Sequence, residues 1–433
     1  MSGRLNRTSL HRDIRPLYYV SKVLGLASFS FFKNPETNEE SINTKFASNI
    51  GGLLWTSVMF CVMIGGLIYS IVRYQLSYIR HAGEVVNNAF SFPLNFVIAL
   101  VSLLNATVSR GKMRELVNKL IVIEEHLLKY KIEGCCIYSE ISIFFLVFGF
   151  ICYDTWFSGN GLILLHDAIY RLAYLIGFVI VMQFCKFVQM IQHRLITVRN
   201  VLNSIDQDTT VKHEHKVINT DDQYGVNRME FQMSTLTTET KFKNCNGIIC
   251  AQNNITCVNE TSQSEINLKL IEIMHLRRTY NDIYECSGLV NSIYGFQILL
   301  LFIRTSIALV TNIHAFIRSF TEPFPEASLV NTGSYLASLP LWIVTFLGML
   351  IAMTVSCQMT SLESKKLNDR VQKALLKNTL TNEMQQQLQL YSSQISSNRI
   401  EFTAFWFFTV DLSLLCTILA SATTYIVILV QFK

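Results

Sequence analysis

Apolar stretches of about 20 residues recur seven times along the chain, near Ile50–Val72, Asn87–Val108, Ile137–Phe157, Leu162–Phe187, Leu289–His314, Tyr335–Gln358 and Ala404–Val430. A helix of about 20 apolar residues matches the thickness of a bilayer's hydrocarbon core. The pattern therefore predicts an all-α, multi-pass membrane protein with seven transmembrane helices. Residues 1–46 form a polar leading segment, 47–188 hold the first four spans, 289–358 the next two and 404–433 the last. The connection 189–288 keeps helical periodicity at both ends, with Leu268, Ile271 and Met274/His275 on one face; its middle, 206–264, is rich in Thr, Asn, Asp and Gln and reads as disordered. The connection 359–403 is helical throughout: Leu362–Leu376 continues span six, and Leu380, Met384, Leu388, Tyr391 and Ile395 recur at steps of three and four. Such stripes need a surface to pack on. The neighbouring helical extensions and a second copy of the chain both fit that requirement.

Composition and charge set the orientation. Half of the residues are hydrophobic and only 15% are charged, which excludes an ordinary soluble domain. Of the 36 lysines and arginines, 29 fall on the side of the N-terminus and four on the other, and the imbalance persists, 19 against four, without the long 189–288 connection. The positive-inside rule then puts the N-terminus in the cytosol and the C-terminus outside. No secretory leader is expected, because the first 46 residues lack an apolar core followed by a small-residue cleavage site. This orientation is the reverse of a G-protein-coupled receptor. The outer loops contain none of the 11 cysteines, and no Asp-Arg-Tyr or Asn-Pro-x-x-Tyr follows a span. Cys245, Cys250 and Cys257 with His213 and His215 match no zinc spacing, so no metal or cofactor is expected. The absence of H-E-x-x-H, G-x-S-x-G and an internal repeat argues against a membrane enzyme or transporter. Nothing suggests nucleic-acid binding.

The last span carries the most specific pattern. With Ser413 at zero and 100° per residue, Thr417, Ser421, Thr424, Ile428 and Gln431 fall within an arc of about 80°. Close helix packing through small hydroxyl residues would explain such a stripe in part. An amide near the end of an apolar helix points further, to a water-lined path that Ile428 or Phe432 closes by dewetting. One helix cannot enclose a pore, so several chains must each contribute one around a rotational axis.

The same region carries a resemblance. Phe402-Thr403-Ala404-Phe405-Trp406-Phe407-Phe408-Thr409-Val410-Asp411, followed by Thr424-Tyr425, five apolar residues and Gln431-Phe432, resembles the C-terminal signature of the insect gustatory receptors. Arg15-Pro16-Leu17 with Ser21-Lys22-Val23-Leu24-Gly25-Leu26 is similar to their N-terminal segment. Trp406 departs from the family pattern, which has a small residue there. The resemblance implies a tastant-gated, non-selective cation channel in the plasma membrane of sensory neurons, related to insect olfactory receptors. It implies a homotetramer, or a heteromer with other gustatory receptors, joined through cytosolic helix ends. Thr424 and Tyr425 would steady the pore helix against its neighbours, and Gln431 and Phe432 would lie at the outer gate. The competing expectation is a metabotropic receptor signalling through a G protein.

The outer halves of the spans supply candidates for a tastant pocket: Asn95; Asp154 and Trp156; His166, Asp167 and Arg171; Arg304; and Tyr335, Ser338 and Trp342. Aromatic faces with a few convergent polar groups suit a sugar, a bitter compound or an amino acid. Asp167 and Arg171, four residues apart on one helix, are equally explained as a pair that lowers the cost of burying each.

Overall fold

The computed structural model describes residues 9–27, 29–31, 46–48, 50–76, 92–127, 143, 146–152, 161–233, 247–321, 329–376 and 380–431; for 161–166, 206–233, 247–263 and 329–337, among others, it describes the backbone alone. The elements are α1 (Ser9–Val23), β1 (Phe29–Phe31), β2 (Phe46–Ser48), α2 (Ile50–Leu76), α3 (Phe92–Val108), α4 (Arg110–Leu127), α5 (Gly161–Met233), α6 (Gly247–Thr321), α7 (Leu329–Leu375), α8 (Asn382–Ser397), β3 (Thr403–Ala404), β4 (Phe408–Thr409) and α9 (Leu412–Gln431). Residues 146–152, within the expected third span, are also helical. The four strands make two small antiparallel hairpins, β1 with β2 and β3 with β4.

Four described helices are long and apolar enough to cross a membrane: Gly51–Val72, Asp167–Ile205, Ile266–Phe320 and Ser338–Leu375. Leu412–Ile428 is a shorter apolar helix, and α3 and α4 meet at a 68° bend. The bend falls at Ser109, whose hydroxyl donates to Asn105 Oδ1 at 2.6 Å. Beyond it the sequence turns amphipathic, and α4 buries Leu116, Leu120, Ile123 and Leu127 on one stripe.

The chain divides into two compact units. The first comprises residues 1–194, 283–362 and 400–433, and the second comprises 195–282 and 363–399. In the first, α2 approaches α3 and α5 at Gly66, where an added Cβ would stand 2.6 Å from Phe96 Cε1 and 2.9 Å from Ile169 Cγ2. The N-terminal segment is built into this unit. α1 ends at Gly25, with φ of 75°, and Leu24, Leu26 and Ala27 are buried. Ser21 accepts from Gln183 Nε2 at 2.5 Å, and Gln183 Oε1 in turn accepts from the Tyr294 hydroxyl at 3.2 Å. Arg194 of α5 meets Glu124 of α4 at 3.4 Å, and Lys119 of α4 pairs with Glu285 of α6, whose hydrogen bond raises the lysine's pKa.

The second unit is a four-helix cluster. Met384, Leu388, Tyr391 and Ile395 of α8 are all buried, together with Leu195, Val198 and Leu202 of α5, Ile273, Leu276 and Tyr280 of α6, and Leu367 and Val371 of α7. The anchor stripe thus packs on helical extensions of the same chain. The α6 face differs from the sequence expectation: Leu268 and Ile271 are each 66% exposed, and the buried line runs through Ile273, Leu276 and Tyr280 instead. The helical ends of the long connection also extend further than expected. Backbone helix continues through residues 206–233 and resumes at 247, while 234–246 lie outside the described residues. Polar composition is no bar to this, because an established helix gains one hydrogen bond for each residue it adds.

Two tyrosines of this unit make opposite predictions. The Tyr280 hydroxyl donates to Asn398 O at 2.9 Å and shares a hydrogen bond with Ser364 Oγ at 3.1 Å. The Tyr391 hydroxyl is buried with no hydrogen-bond partner among the described residues, and burial holds its pKa well above the ordinary value. Tyr280→Phe is expected to cost about 1–3 kcal/mol, whereas Tyr391→Phe is neutral or stabilises by up to about 1 kcal/mol. Melting temperatures of the purified variants check this, and equal losses would contradict the bonding just described.

Candidate functional site

The expected start of the last span differs in the structure. Residues 403–409 form the β3–β4 hairpin, in register Thr403↔Thr409 and Ala404↔Phe408, and helix begins only at Leu412. Phe407 N donates to Ala404 O at 3.1 Å, closing a turn whose central residues, Phe405 and Trp406, have φ of 50° and 65°. Each bulky side chain in this left-handed region costs about 1–2 kcal/mol. The offsetting contacts come from α6. Asn291 accepts from Thr403 N at 3.1 Å and donates to Glu401 O at 2.8 Å. Phe405 packs edge-on against Phe296, and Phe408 against Phe302, at centroid distances of 5.2 and 5.9 Å. Gly295 permits the approach, since a Cβ there would stand 3.1 Å from Phe405 N.

Asp411 then starts α9. Its Oδ1 accepts from Leu414 N at 2.9 Å and from the Ser413 hydroxyl at 2.6 Å, satisfying donors that the first helical turn leaves open. The 20 residues that follow reach about 30 Å, enough to cross a hydrocarbon core. Within 412–428 only Ala422 is buried, and Leu414, Leu415, Ile418 and Ile426 are half-buried. On the helical wheel that set centres roughly 135° from the hydroxyl stripe. Ser413, Thr417, Ser421, Thr424, Ile428 and Gln431 are all exposed, as is Tyr425 at 62%. α9 therefore leans on its own chain through an aliphatic face and presents the polar stripe away from it. Thr417 and Thr424 donate to the carbonyls of Ser413 and Ala420, at 2.9 and 3.1 Å, so the stripe carries no unmet donors from these threonines. Phe432 lies outside the described residues.

The candidate pocket residues are placed as follows. Asp154 and Trp156 lie outside the described residues, and His166 and Tyr335 are described as helical backbone only. Asn95 is 3% exposed on α3, and its side-chain Nδ2 has no hydrogen-bond partner among the described residues. On α5, Asp167 is half-buried and Arg171 is buried; Ser338 on α7 is buried one turn before Trp342.

Arg304 and Trp342 come together in one aromatic cluster. Arg304, on α6, is 2% exposed, and its guanidinium carbon lies 4.7 Å from the centroids of both Tyr174 of α5 and Phe346 of α7. Such contacts contribute about 2 kcal/mol or more when desolvated, which partly offsets burying the charge. Trp342 stacks on Phe346 at 5.6 Å and meets Tyr174 and Phe150 edge-on at 4.9 and 5.1 Å. The Tyr174 hydroxyl donates to Met349 Sδ at 3.5 Å. Tyr174, Phe346 and Phe150 escaped the sequence reading. The spacing of Trp342 and Phe346, four apart on one helix, was the available signal.

Comparisons with known proteins agree with one another. The chain is 21% identical over 436 residues to "Putative gustatory receptor 28b" of Drosophila melanogaster, covering 98% of this chain and 86% of that one. It is 25% identical over 183 residues to "Putative gustatory receptor 2a" of the same species, covering 37% and 41% of the two chains. Among solved structures it resembles the insect olfactory receptor OR5 from Machilis hrabei, with TM-score 0.64, 11% identity and coverage of 99% of this chain and 100% of that one. The same receptor in complex with eugenol matches with TM-score 0.51 and 11% identity, over 98% of this chain and 100% of that one. The chain thus shares the helical membrane fold of an insect olfactory receptor. Residues 14–433 match the 7tm chemosensory receptor family, and the chain belongs to that family.

Proposed function

We propose that the chain is a subunit of a tastant-gated, non-selective cation channel, its N-terminus in the cytosol and its C-terminus outside. A small molecule binds in the outward-facing part of the bundle, around Arg304 and Trp342, and prefers the state in which α6 and α7 have moved. That preference biases α9 toward an open pore, and a few kcal/mol of differential affinity suffices to change a mostly closed population. Ser413, Thr417, Ser421 and Thr424 line the path, Ile428 or Phe432 closes it, and Gln431 lies at its outer mouth.

The observation that carries this reading is the polar stripe of α9, which is exposed on the side away from its own bundle. The threonine hydroxyls of the stripe bond within α9, but an amide such as that of Gln431 on an apolar helix needs water or a partner, and a path enclosed by symmetry copies around a central axis supplies the water. The exposed Leu268 and Ile271 on α6 support assembly through the second unit, because α8 already covers the buried line of that helix. Homotetramers, or heteromers with other gustatory receptors in the plasma membrane of sensory neurons, follow from this reading.

The test is whole-cell recording from non-insect cells that express the chain alone during a tastant panel. Tastant-evoked cation currents that persist under G-protein blockade are expected; responses abolished by the blockade would favour a metabotropic receptor. An epitope tag after Lys433 is expected to be labelled on intact cells. Labelling only after permeabilisation would overturn the orientation.

A further inference from the structure

We infer that the ligand of the Arg304 site is a small organic acid, a carboxylate carrying a compact aromatic or branched apolar body. This rests on the reading of the outer bundle as a tastant pocket and deepens it by naming the ligand's chemistry.

Arg304 is a charge placed in an apolar span at 2% exposure, and the structure pairs it with rings rather than with a carboxylate. A guanidinium has two faces and a rim of N–H donors, and these serve different partners. Tyr174 and Phe346, each 4.7 Å from the guanidinium carbon, account for the ring contacts. On the rim, Nε is buried and has no hydrogen-bond partner among the described residues. Nε together with a neighbouring terminal nitrogen forms the two-donor edge that matches a carboxylate's two oxygens.

The guanidinium's neighbours are uncharged rings, and a permanent cation is better matched by an anion than by a neutral acceptor. The walls beside the guanidinium are aromatic: Trp342, only half-buried, stacks on Phe346 and meets Tyr174 and Phe150. They offer a flat, apolar surface to the ligand's body, and the sulfur of Met349, bonded to Tyr174, extends it. A sugar, with hydroxyls on every side, would leave most of its polar groups unmatched against these walls.

The experiment compares phenylacetate with phenylacetamide, and isovalerate with isovaleramide, at neutral pH. Each pair keeps the body and changes only the charge. Purified full-length receptor in detergent is expected to melt at higher temperature with either acid and to be unmoved by either amide. Arg304→Lys keeps the charge between the rings but loses the two-donor edge, so acid binding is expected to weaken about tenfold or more. Should that variant fail to fold, the acid and amide comparison on the unaltered protein decides the matter. Equal shifts by acid and amide, no shift by either acid, or a folded Arg304→Lys receptor that binds the acids unchanged would each overturn the inference. Currents in the same cells separate it from the channel reading. An acid that shifts melting without evoking current leaves the ligand class standing and counts against gating; currents evoked only by neutral tastants leave the channel standing and sink the ligand class.

Discussion

Replacing Glu124 by glutamine is expected to lower the stability of the receptor by about 3–5 kcal/mol, the usual cost of removing one member of a buried ion pair. Glu124 on α4 and Arg194 on α5 meet at 3.4 Å, with side-chain exposures of 12% and 6%. Arg194 also donates to Met190 O at 2.9 Å and to Leu120 O at 3.4 Å, so it is held in place whether or not a carboxylate is present. Without the carboxylate, the buried guanidinium loses the charged partner that meets it at 3.4 Å. The positive charge cannot be shed, because a guanidinium does not deprotonate in proteins. A paired apolar replacement, Glu124→Met with Arg194→Met, removes both desolvation penalties and is expected to recover most of the loss. The melting temperature of the purified receptor checks both variants. A double variant as unstable as the single one would show that the pair's shape, rather than its charge balance, holds α4 to α5.

Ile428→Ser is expected to raise agonist-free cation current about tenfold or more in cells expressing the receptor. Ile428 is 41% exposed and is the aliphatic member of an otherwise polar stripe on α9. An apolar ring around an axial path keeps it closed by excluding water, and a hydroxyl removes much of that penalty. Shifting the closed-to-open balance by about 1.4 kcal/mol changes the ratio tenfold. Leu419, 37% exposed and about 120° from the nearer edge of the stripe, is the control: Leu419→Ser is expected to leave basal current near its original level. A Leu419 effect as large as that of Ile428, or an Ile428 variant with unchanged current and normal surface expression, would remove Ile428 from the conduction path.

How much of this was legible in the sequence depended on whether one periodicity dominated. The α8 stripe of Met384, Leu388, Tyr391 and Ile395 was legible because its opposite face is almost wholly polar, and all four residues are buried. α6 has apolar residues on two faces, so periodicity could not choose between Leu268–Ile271 and the line Ile273–Leu276–Tyr280 that packing selected. The β3–β4 hairpin was illegible for a different reason. Its turn uses Phe405 and Trp406 where Asn-Gly would normally announce positive φ, and an aromatic run beside an apolar span reads as more helix. At the candidate ligand site, Arg304 stood out as a charge in an apolar stretch. Tyr174 and Phe346 did not, because aromatic residues are ordinary in a span until tertiary packing sets both against the same guanidinium.

The hairpin ahead of α9 also has a mechanical consequence. Helix is interrupted from Asn398 to Asp411, so the terminal helix can swivel about its own axis without unwinding α8. Its nearest fixed point is instead the Asn291–Gly295 stretch of α6, and α6 is also the helix that carries Arg304. A rotation of that one rod by a few degrees would turn the Arg304 charge and the base of the terminal helix together, as a crank turns its shaft.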